Sequence, residues 1–105
     1  MYEALEFVCA SGDDTVTLAQ HKKLEEVLKS VDNVIVYRWK TRNVPWLDNT
    51  TIDVLSIRAV LLDPKKDEAV LEAASKLGLA FDESEWIDDV ELARIRNHAL
   101  PGQIG

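Results

Sequence analysis

The chain has little of what builds disulfide scaffolds or zinc sites. It has one cysteine and two histidines in 105 residues. A lone Cys9 cannot form an internal disulfide, so we expect a reducing, cytoplasmic location. A structural zinc needs about four Cys or His ligands, and Cys9, His21 and His98 lie far apart along the chain. We therefore expect no metal and no cofactor.

Glycine and long apolar runs are also scarce. A phosphate-binding loop needs several glycines at fixed spacing, but Gly12 stands alone after the first predicted strand. Asp13 and Asp14 follow it and would repel a phosphate. No segment approaches the roughly 18 apolar residues of a membrane span, and Glu3 and Glu6 replace the basic start of a signal peptide. We expect neither nucleotide binding, nor secretion, nor membrane insertion.

The charge balance is acidic, with 12 Lys plus Arg against 19 Asp plus Glu and a formal net charge of −7. This charge opposes the phosphate attraction on which nucleic-acid binding depends, and it favours basic partners. The predicted third strand, residues 51–62, also has no aromatic residue of the kind that stacks on RNA bases. The length and the 47% hydrophobic content predict one globular domain over residues 1–105.

Hydrophobic periodicity divides the first three quarters of the chain into regular elements. Alternating or β-branched runs predict strands at about residues 4–10, 34–40 and 51–62. Thr17 and Gln20 form a capping-box pattern that predicts a helix from Thr17 to about residue 31. Asp63-Pro64 predicts the start of a second helix that ends at Gly78. Residues 41–49 are rich in turn formers and predict a loop.

The last quarter allows two interpretations. Asp82 followed by Glu85, with Phe81 placed to contact Trp86, predicts a helix from residue 82 to about residue 98. A short strand at residues 79–81 is the alternative, although the acidic stretch argues against a central strand. The order β-α-β-β-α with an added C-terminal helix predicts an α+β, ferredoxin-like (split β-α-β) fold. We expect its helices on one face of an antiparallel sheet.

Residues 37–46 are the most unusual segment, because they concentrate basic and aromatic residues in an acidic protein. Tyr37 and Trp39 alternate along a strand and belong to the expected core. Trp46 follows a proline in the predicted loop, where no strand pattern buries it. Arg and Trp are enriched at binding hot spots. We therefore assign partner binding to four residues of this segment, Arg38, Lys40, Arg42 and Trp46.

The predicted C-terminal helix has two apolar sides that one sheet cannot bury together. Trp86, Val90 and Ala93 lie on one side, and Leu92, Ile95 and Ala99 lie on the other. A second copy of the chain in a homodimer, or a different protein, would cover one of them. Leu92 and Ile95 therefore join the candidate partner-binding residues.

The leading hypothesis is a non-catalytic protein-binding or regulatory domain that uses the 38–46 segment, the C-terminal helix, or both. The first alternative is a small enzyme or metabolite binder with a pocket formed by Cys9, Asp13, Asp14, His21 and Arg58. The second alternative is an acidic inhibitor or immunity-type protein that presents residues 82–91 to a basic target. No motif identifies a catalytic residue, and the presence of an enzymatic activity stays open.

Overall fold

A computed structural model describes residues 1–9, 11, 14–28 and 31–104, with the backbone alone described for residues 14, 42, 44 and 98–104. The strands are β1 (Tyr2–Cys9), β2 (Val34–Pro45), β3 (Thr51–Leu61) and β4 (Leu79–Ile87), and the helices are α1 (Asp14–Leu28), α2 (Asp67–Lys76) and α3 (Asp89–Ile104). Single 3₁₀ turns occupy Leu47–Asn49 and Pro64–Lys66. The protein is therefore α+β, with a four-stranded antiparallel sheet in the order β2-β3-β1-β4.

One face of the sheet is covered by α1 and α2. Leu5 and Phe7 of β1 project to this face and pack with Leu24 of α1 and Val70 of α2. These side chains belong to a cluster completed by Leu28, Val36, Ile57, Ala59, Leu61, Ala74 and Leu79. Alternation along β1 and β3 supplies the residues, because every second side chain of a strand points to the same face. This cluster is the main hydrophobic core.

The opposite face is partly covered by α3, so the expectation that the helices share one face is wrong. Leu92 and Ile95 of α3 pack with Ile35 and Tyr37 of β2 and with Ala4, Val60 and Ile87. The physical reason lies in β3, where residues 56–61 are buried without alternation. A strand that is buried in this way needs a layer on each of its faces. The last helix supplies the second layer.

Residues 79–87 form an edge strand rather than the start of a helix. The alternative of a short strand at residues 79–81 was closer to the structure, but β4 continues to Ile87 and pairs with β1 along its length. The acidic side chains remain exposed, which an edge strand tolerates because one side of it faces solvent. The helix begins later, at Asp89, where the carboxylate of Asp88 accepts a hydrogen bond of 2.9 Å from the Glu91 N–H.

Two other predicted boundaries are wrong. Helix α1 begins at Asp14, so Thr17 lies inside it and is fully buried, and the Gln20 amide donates to the Leu77 carbonyl instead of capping. The described part of the helix runs to Leu28, and its predicted end near residue 31 adjoins residues 29 and 30, which lie outside the described residues. Strand β2 continues to Pro45 and pairs with β3, so residues 41–45 are a strand and not a loop. Cross-strand pairing overrides the turn formers of this segment.

The structure confirms the predicted signals at both ends of the second helix. The carboxylate of Asp63 accepts a hydrogen bond of 3.0 Å from the Lys65 N–H, and Pro64 opens the 3₁₀ turn that leads into α2. Gly78 follows the helix with a φ of 79°, a left-handed conformation that glycine adopts without strain.

In the part of the chain that the structure describes, no helix has both the length and the apolarity of a membrane span.

The covering role of α3 predicts unequal effects of two substitutions on one helix. Ile95 is 5% exposed and Val90 is 69% exposed. Ile95→Ala should lower the free energy of unfolding by about 2–4 kcal/mol, because it leaves a cavity in the second cluster. Val90→Ala should change it by less than about 0.5 kcal/mol. Urea denaturation of both variants measures the difference, and equal small effects would contradict the packing of α3 on the sheet.

Candidate functional site

Strands β2 and β3 extend beyond the rest of the sheet as a two-stranded arm. They pair from Val34 with Leu61 to Pro45 with Thr51, whereas β1 pairs with β3 no further than Ile57. The molecule accordingly measures 42 × 26 × 26 Å along its principal axes. We call residues 41–55 the arm and residues 46–50 its tip.

The tip is a defined turn that carries two exposed apolar side chains. The Trp46 N–H donates to the Thr50 carbonyl at 2.8 Å, and the Thr50 N–H donates to the Leu47 carbonyl at 3.1 Å. Asp48 and Asn49 have positive φ angles of 57° and 60°, which Asp and Asn tolerate better than most residues. Trp46 is 43% exposed and Leu47 is 70% exposed. The backbone of the tip is therefore fixed while its apolar side chains face solvent.

The basic candidate residues lie at the base of the arm. Arg38 and Lys40 are exposed, and the Lys40 Nζ lies 5.9 Å from the centre of the Trp39 ring. Arg42 belongs to the paired part of β2, but its side chain is not described. The structure thus places Arg38, Lys40 and Trp46 along one continuous hairpin. Sequence reasoning missed Leu47, although its position beside Trp46 in a turn was a usable signal.

The polar part of the second sheet face is organised around Arg58. This side chain is 2% exposed, and its Nη1 donates to the Tyr37 hydroxyl at 3.2 Å while its Nη2 forms an ion pair with Glu85. The guanidinium also stacks on Trp39, with 3.8 Å between its Cζ and the ring centre. Glu6 of β1, which is also buried, lies directly across from Arg58 in the strand register. Residues of β2 and β4 therefore contact this guanidinium, and Glu6 of β1 lies across from it in the strand register.

An open groove of about 290 Å³ lies beside Arg58. Its walls are Trp39 and Arg58 on the sheet, Glu85 to Asp88 at the end of β4, and the first turns of α3. The two arginines of the groove are already paired, Arg58 with Glu85 and Arg94 with Glu91 at 2.8 Å. Among the described residues that line it there is no thiol, imidazole or hydroxyl nucleophile. The charged side chains of the groove are thus two arginines and three carboxylates, of which Glu85 and Glu91 are paired with the arginines.

The structure separates Arg58 from the other residues of the pocket proposed around Cys9 and His21. Arg58 projects to the opposite face of the sheet, because it pairs across from Glu6 while Cys9 shares the face of Phe7. Cys9 is buried, with its Sγ 3.0 Å from the Ser11 Oγ. Asp13 lies outside the described residues, and the side chain of Asp14 is not described. The proposed set is therefore divided between two faces.

His21 is a packed histidine on α1. It is buried, and its pKa is lowered to about 4, mainly by burial and to a smaller extent by the charges of Arg38 and Lys22. Its Nε2 lies 2.8 Å from the Oε1 of Glu25, but the two atoms are not aligned for a hydrogen bond. Burial also raises the pKa of the Glu25 carboxyl. This environment favours the neutral form of the His21 imidazole.

Leu92 and Ile95 are placed in the second core cluster and not on a free surface. Trp86 belongs to β4 and not to the helix, so the two apolar sides predicted for the C-terminal helix do not both lie on that helix. Trp86, Val90 and Ala93 are the exposed members, and the side chain of Ala99 is not described. Substitution of Ile95 therefore tests folding rather than binding.

A group of carboxylates forms next to the polar face of the sheet. Carboxylate oxygens of Glu6, Asp82 and Glu83 lie within 4.8 Å of one another. Asp82 lies where the register of β4 on β1 shifts by one residue. Like charges this close favour a nearby cation. Sequence reasoning missed this group because it requires knowing that β4 pairs with β1.

The chain matches no protein-family model, and no curated protein or solved structure is significantly similar to it. No residue role can therefore be transferred from a relative. The arm, the Arg58 groove and the exposed edge of β4 are the features that bear on function.

The burial of His21 predicts a titration near pH 4 in the folded protein, against 6.5 for an ordinary histidine. The unfolded chain takes up this proton first as the pH falls. Stability that is complete above about pH 6.5 should therefore be lost between about pH 6.5 and 4, by up to about 3 kcal/mol. NMR titration of the imidazole measures the midpoint. Glu25→Gln should leave it low because burial is the main cause, and a midpoint near 6.5 would contradict the packing.

The contacts of Arg58 predict that its loss destabilises the fold. Arg58→Met removes the guanidinium that lies opposite the buried Glu6 and should lower the free energy of unfolding by about 3–5 kcal/mol. The double variant Glu6→Leu with Arg58→Met should regain much of this loss, because replacing both charges by apolar groups can be nearly neutral. Urea denaturation provides the values. A change below about 0.5 kcal/mol in Arg58→Met would show that the guanidinium is not structurally required.

Proposed function

We propose that this protein is a non-catalytic protein-binding domain that engages an acidic partner surface through the arm. The observation that carries the proposal is the exposure of Trp46 and Leu47 at the tip, where neither side chain belongs to a described core cluster. Exposed Trp and Leu side chains on a fixed turn are suited to insertion into an apolar recess. Their burial there would gain about 25 cal/mol for each Å² of apolar surface removed from water.

The geometry of the tip supports a binding role through entropy. The two backbone hydrogen bonds across residues 46–50 already fix the turn in the free protein. A preorganised loop loses less conformational freedom on binding than a flexible one does. Trp46 has only two side-chain torsions to fix, which lowers this cost further. The tip thus combines apolar area with a small ordering penalty.

Charge supports the choice of an acidic partner. Arg38 and Lys40 are exposed at the base of the arm and form a local basic site. The chain as a whole has a net charge of −7, and the arm itself carries Asp48 and Asp53 against Arg42, so the support comes from the base of the arm alone. Complementary charges around an apolar contact increase association rates and exclude partners of the wrong sign. We infer that the partner surface carries an apolar recess for the tip, bordered by carboxylates that face Arg38 and Lys40.

The architecture that presents the arm is, we infer, a ferredoxin-like fold with an added helix. The strand order β2-β3-β1-β4 supports this assignment. So does the order β-α-β-β-α-β of the strands and α-helices from β1 to β4. In such a plan β2 and β3 are joined directly, so lengthening their hairpin leaves the other connections unchanged. This explains how the arm can project without disturbing the core.

The arm predicts a partner interaction that depends on the tip. Tagged wild-type protein and the double variant Trp46→Ala with Leu47→Ala are compared in pull-downs from lysate of the source cell. Removal of two hot-spot side chains should weaken capture of a specific protein by at least about tenfold. Lys40→Glu should weaken it as well, more strongly at low salt than at high salt.

Val27→Ala is the matched control, because Val27 is an apolar residue of α1 with half of its side chain exposed. It should retain the captured protein. Circular dichroism must show that all variants remain folded. Equal capture by the wild type and the tip variant would refute the proposal.

A further inference from the structure

The outer edge of β4 is an open sheet edge, interrupted at Asp82 by the register shift of β4 on β1. Strand β4 is the last strand in the order β2-β3-β1-β4, and residues 80–86 are all exposed while only its ends, Leu79 and Ile87, are buried. In an antiparallel edge strand, alternate residues direct both backbone polar groups away from the sheet. Such an edge is a template for pairing with another chain. Seven consecutive exposed residues provide a template of useful length.

The side chains of β4 differ between its two faces. Glu83 and Glu85 pair across from Glu6 and Ala4 and so lie on the face of Arg58. Ser84 and Trp86 lie on the other face, with Trp86 largely exposed. The strand thus presents carboxylates on one face and an aromatic surface on the other. A strand that pairs with β4 would need basic side chains on the face of Glu83 and Glu85 and apolar side chains on the face of Trp86.

Pairing of β4 with a second copy of itself is disfavoured. An antiparallel pair centred on Ser84 would place Glu83 of each copy opposite Glu85 of the other. Like charges directly opposite each other destabilise a strand pair. The segment 79–87 contains neither Lys nor Pro, residues that natural edges use against pairing. Its acidic side chains therefore protect it against self-association but not against a basic strand.

We propose that the edge of β4 binds an extended basic segment of another protein by strand addition, with Lys or Arg alternating with apolar residues. Backbone hydrogen bonds to β4 would provide affinity, and the alternating side chains would provide specificity. The basic side chains face Glu83 and Glu85, and the apolar ones face Trp86. This surface lies at the opposite edge of the sheet from β2, so the proposal does not depend on the function of the arm.

Two further features favour a cationic partner. A Lys ammonium opposite Glu83 would lie beside the group in which carboxylate oxygens of Glu6, Asp82 and Glu83 are within 4.8 Å of one another. At the end of β4, the groove beside Arg58 adds the carboxylate of Asp88, while its Glu91 carboxylate is paired with Arg94. Positive charges along one strand would therefore meet carboxylates along the whole edge.

The test uses a synthetic peptide of alternating Lys and Val that spans the seven exposed residues of β4. Fluorescence anisotropy of the labelled peptide measures binding to the intact protein. Glu83→Lys should weaken binding by about tenfold or more. Glu72→Lys is the matched control, because Glu72 is 68% exposed on α2 and the change in net charge is the same. It should change binding less than about twofold.

A second peptide of the same sequence with N-methyl groups on alternate residues keeps the charge but loses the hydrogen-bond donors of one edge. It should bind at least about tenfold more weakly. NMR amide exchange should show new protection within residues 80–86 when the unmodified peptide is bound.

Three results would overturn the proposal. Equal weakening by Glu83→Lys and Glu72→Lys would reduce the interaction to net charge. Equal binding of the N-methylated peptide would exclude strand addition. Protection of all amides of residues 80–86 before peptide is added, with twice the monomer mass in light scattering, would assign the edge to a second copy of the chain.

Discussion

The guanidinium of Arg58, buried in the middle of one sheet face, is the constraint on which the other features depend. A buried charge is tolerated only with partners, and its partners here are Tyr37 and Trp39 on β2 and Glu85 on β4, with Glu6 opposite on β1. Glu85 can reach Arg58 because β4 pairs with β1 as a strand. The apolar end of the same face is closed by α3, and the polar end is left as a groove.

This arrangement gives the two ends of the sheet opposite characters. On the β2 side the hairpin continues from the exposed Arg38 and Lys40 into an arm with an apolar tip, whereas on the β4 side an acidic strand exposes its backbone edge. Both regions are stabilised at their roots by the Arg58 contacts, yet neither buries its outermost side chains. Under the two proposals above, the two edges favour partners of opposite charge.

Much of the core could be predicted from sequence, because β1, β3 and α2 carry strong local signals. Their alternation and the Asp63-Pro64 and Gly78 boundaries reflect local physical chemistry. Only residues 79–81 of strand β4 could be offered as a possible strand from sequence, since the acidic segment that follows becomes a strand only when β1 offers a free edge. The paired residues 41–45 were missed for a similar reason. Among the candidate site residues, Trp46 is exposed on the arm, whereas Leu92 and Ile95 belong to the core. Their burial could not be predicted because it depends on which face of the sheet α3 covers.

Amide hydrogen exchange along residues 79–87 of the free protein tests the account most directly. An edge strand bonded to β1 on one side predicts alternating behaviour, with slow exchange for amides that donate to β1 and near-intrinsic exchange for those between them. That pattern would support both the alignment of Glu85 with Arg58 and the accessible edge of β4. Uniform protection from residue 82 onward, accompanied by helical sequential contacts in NMR spectra, would contradict it.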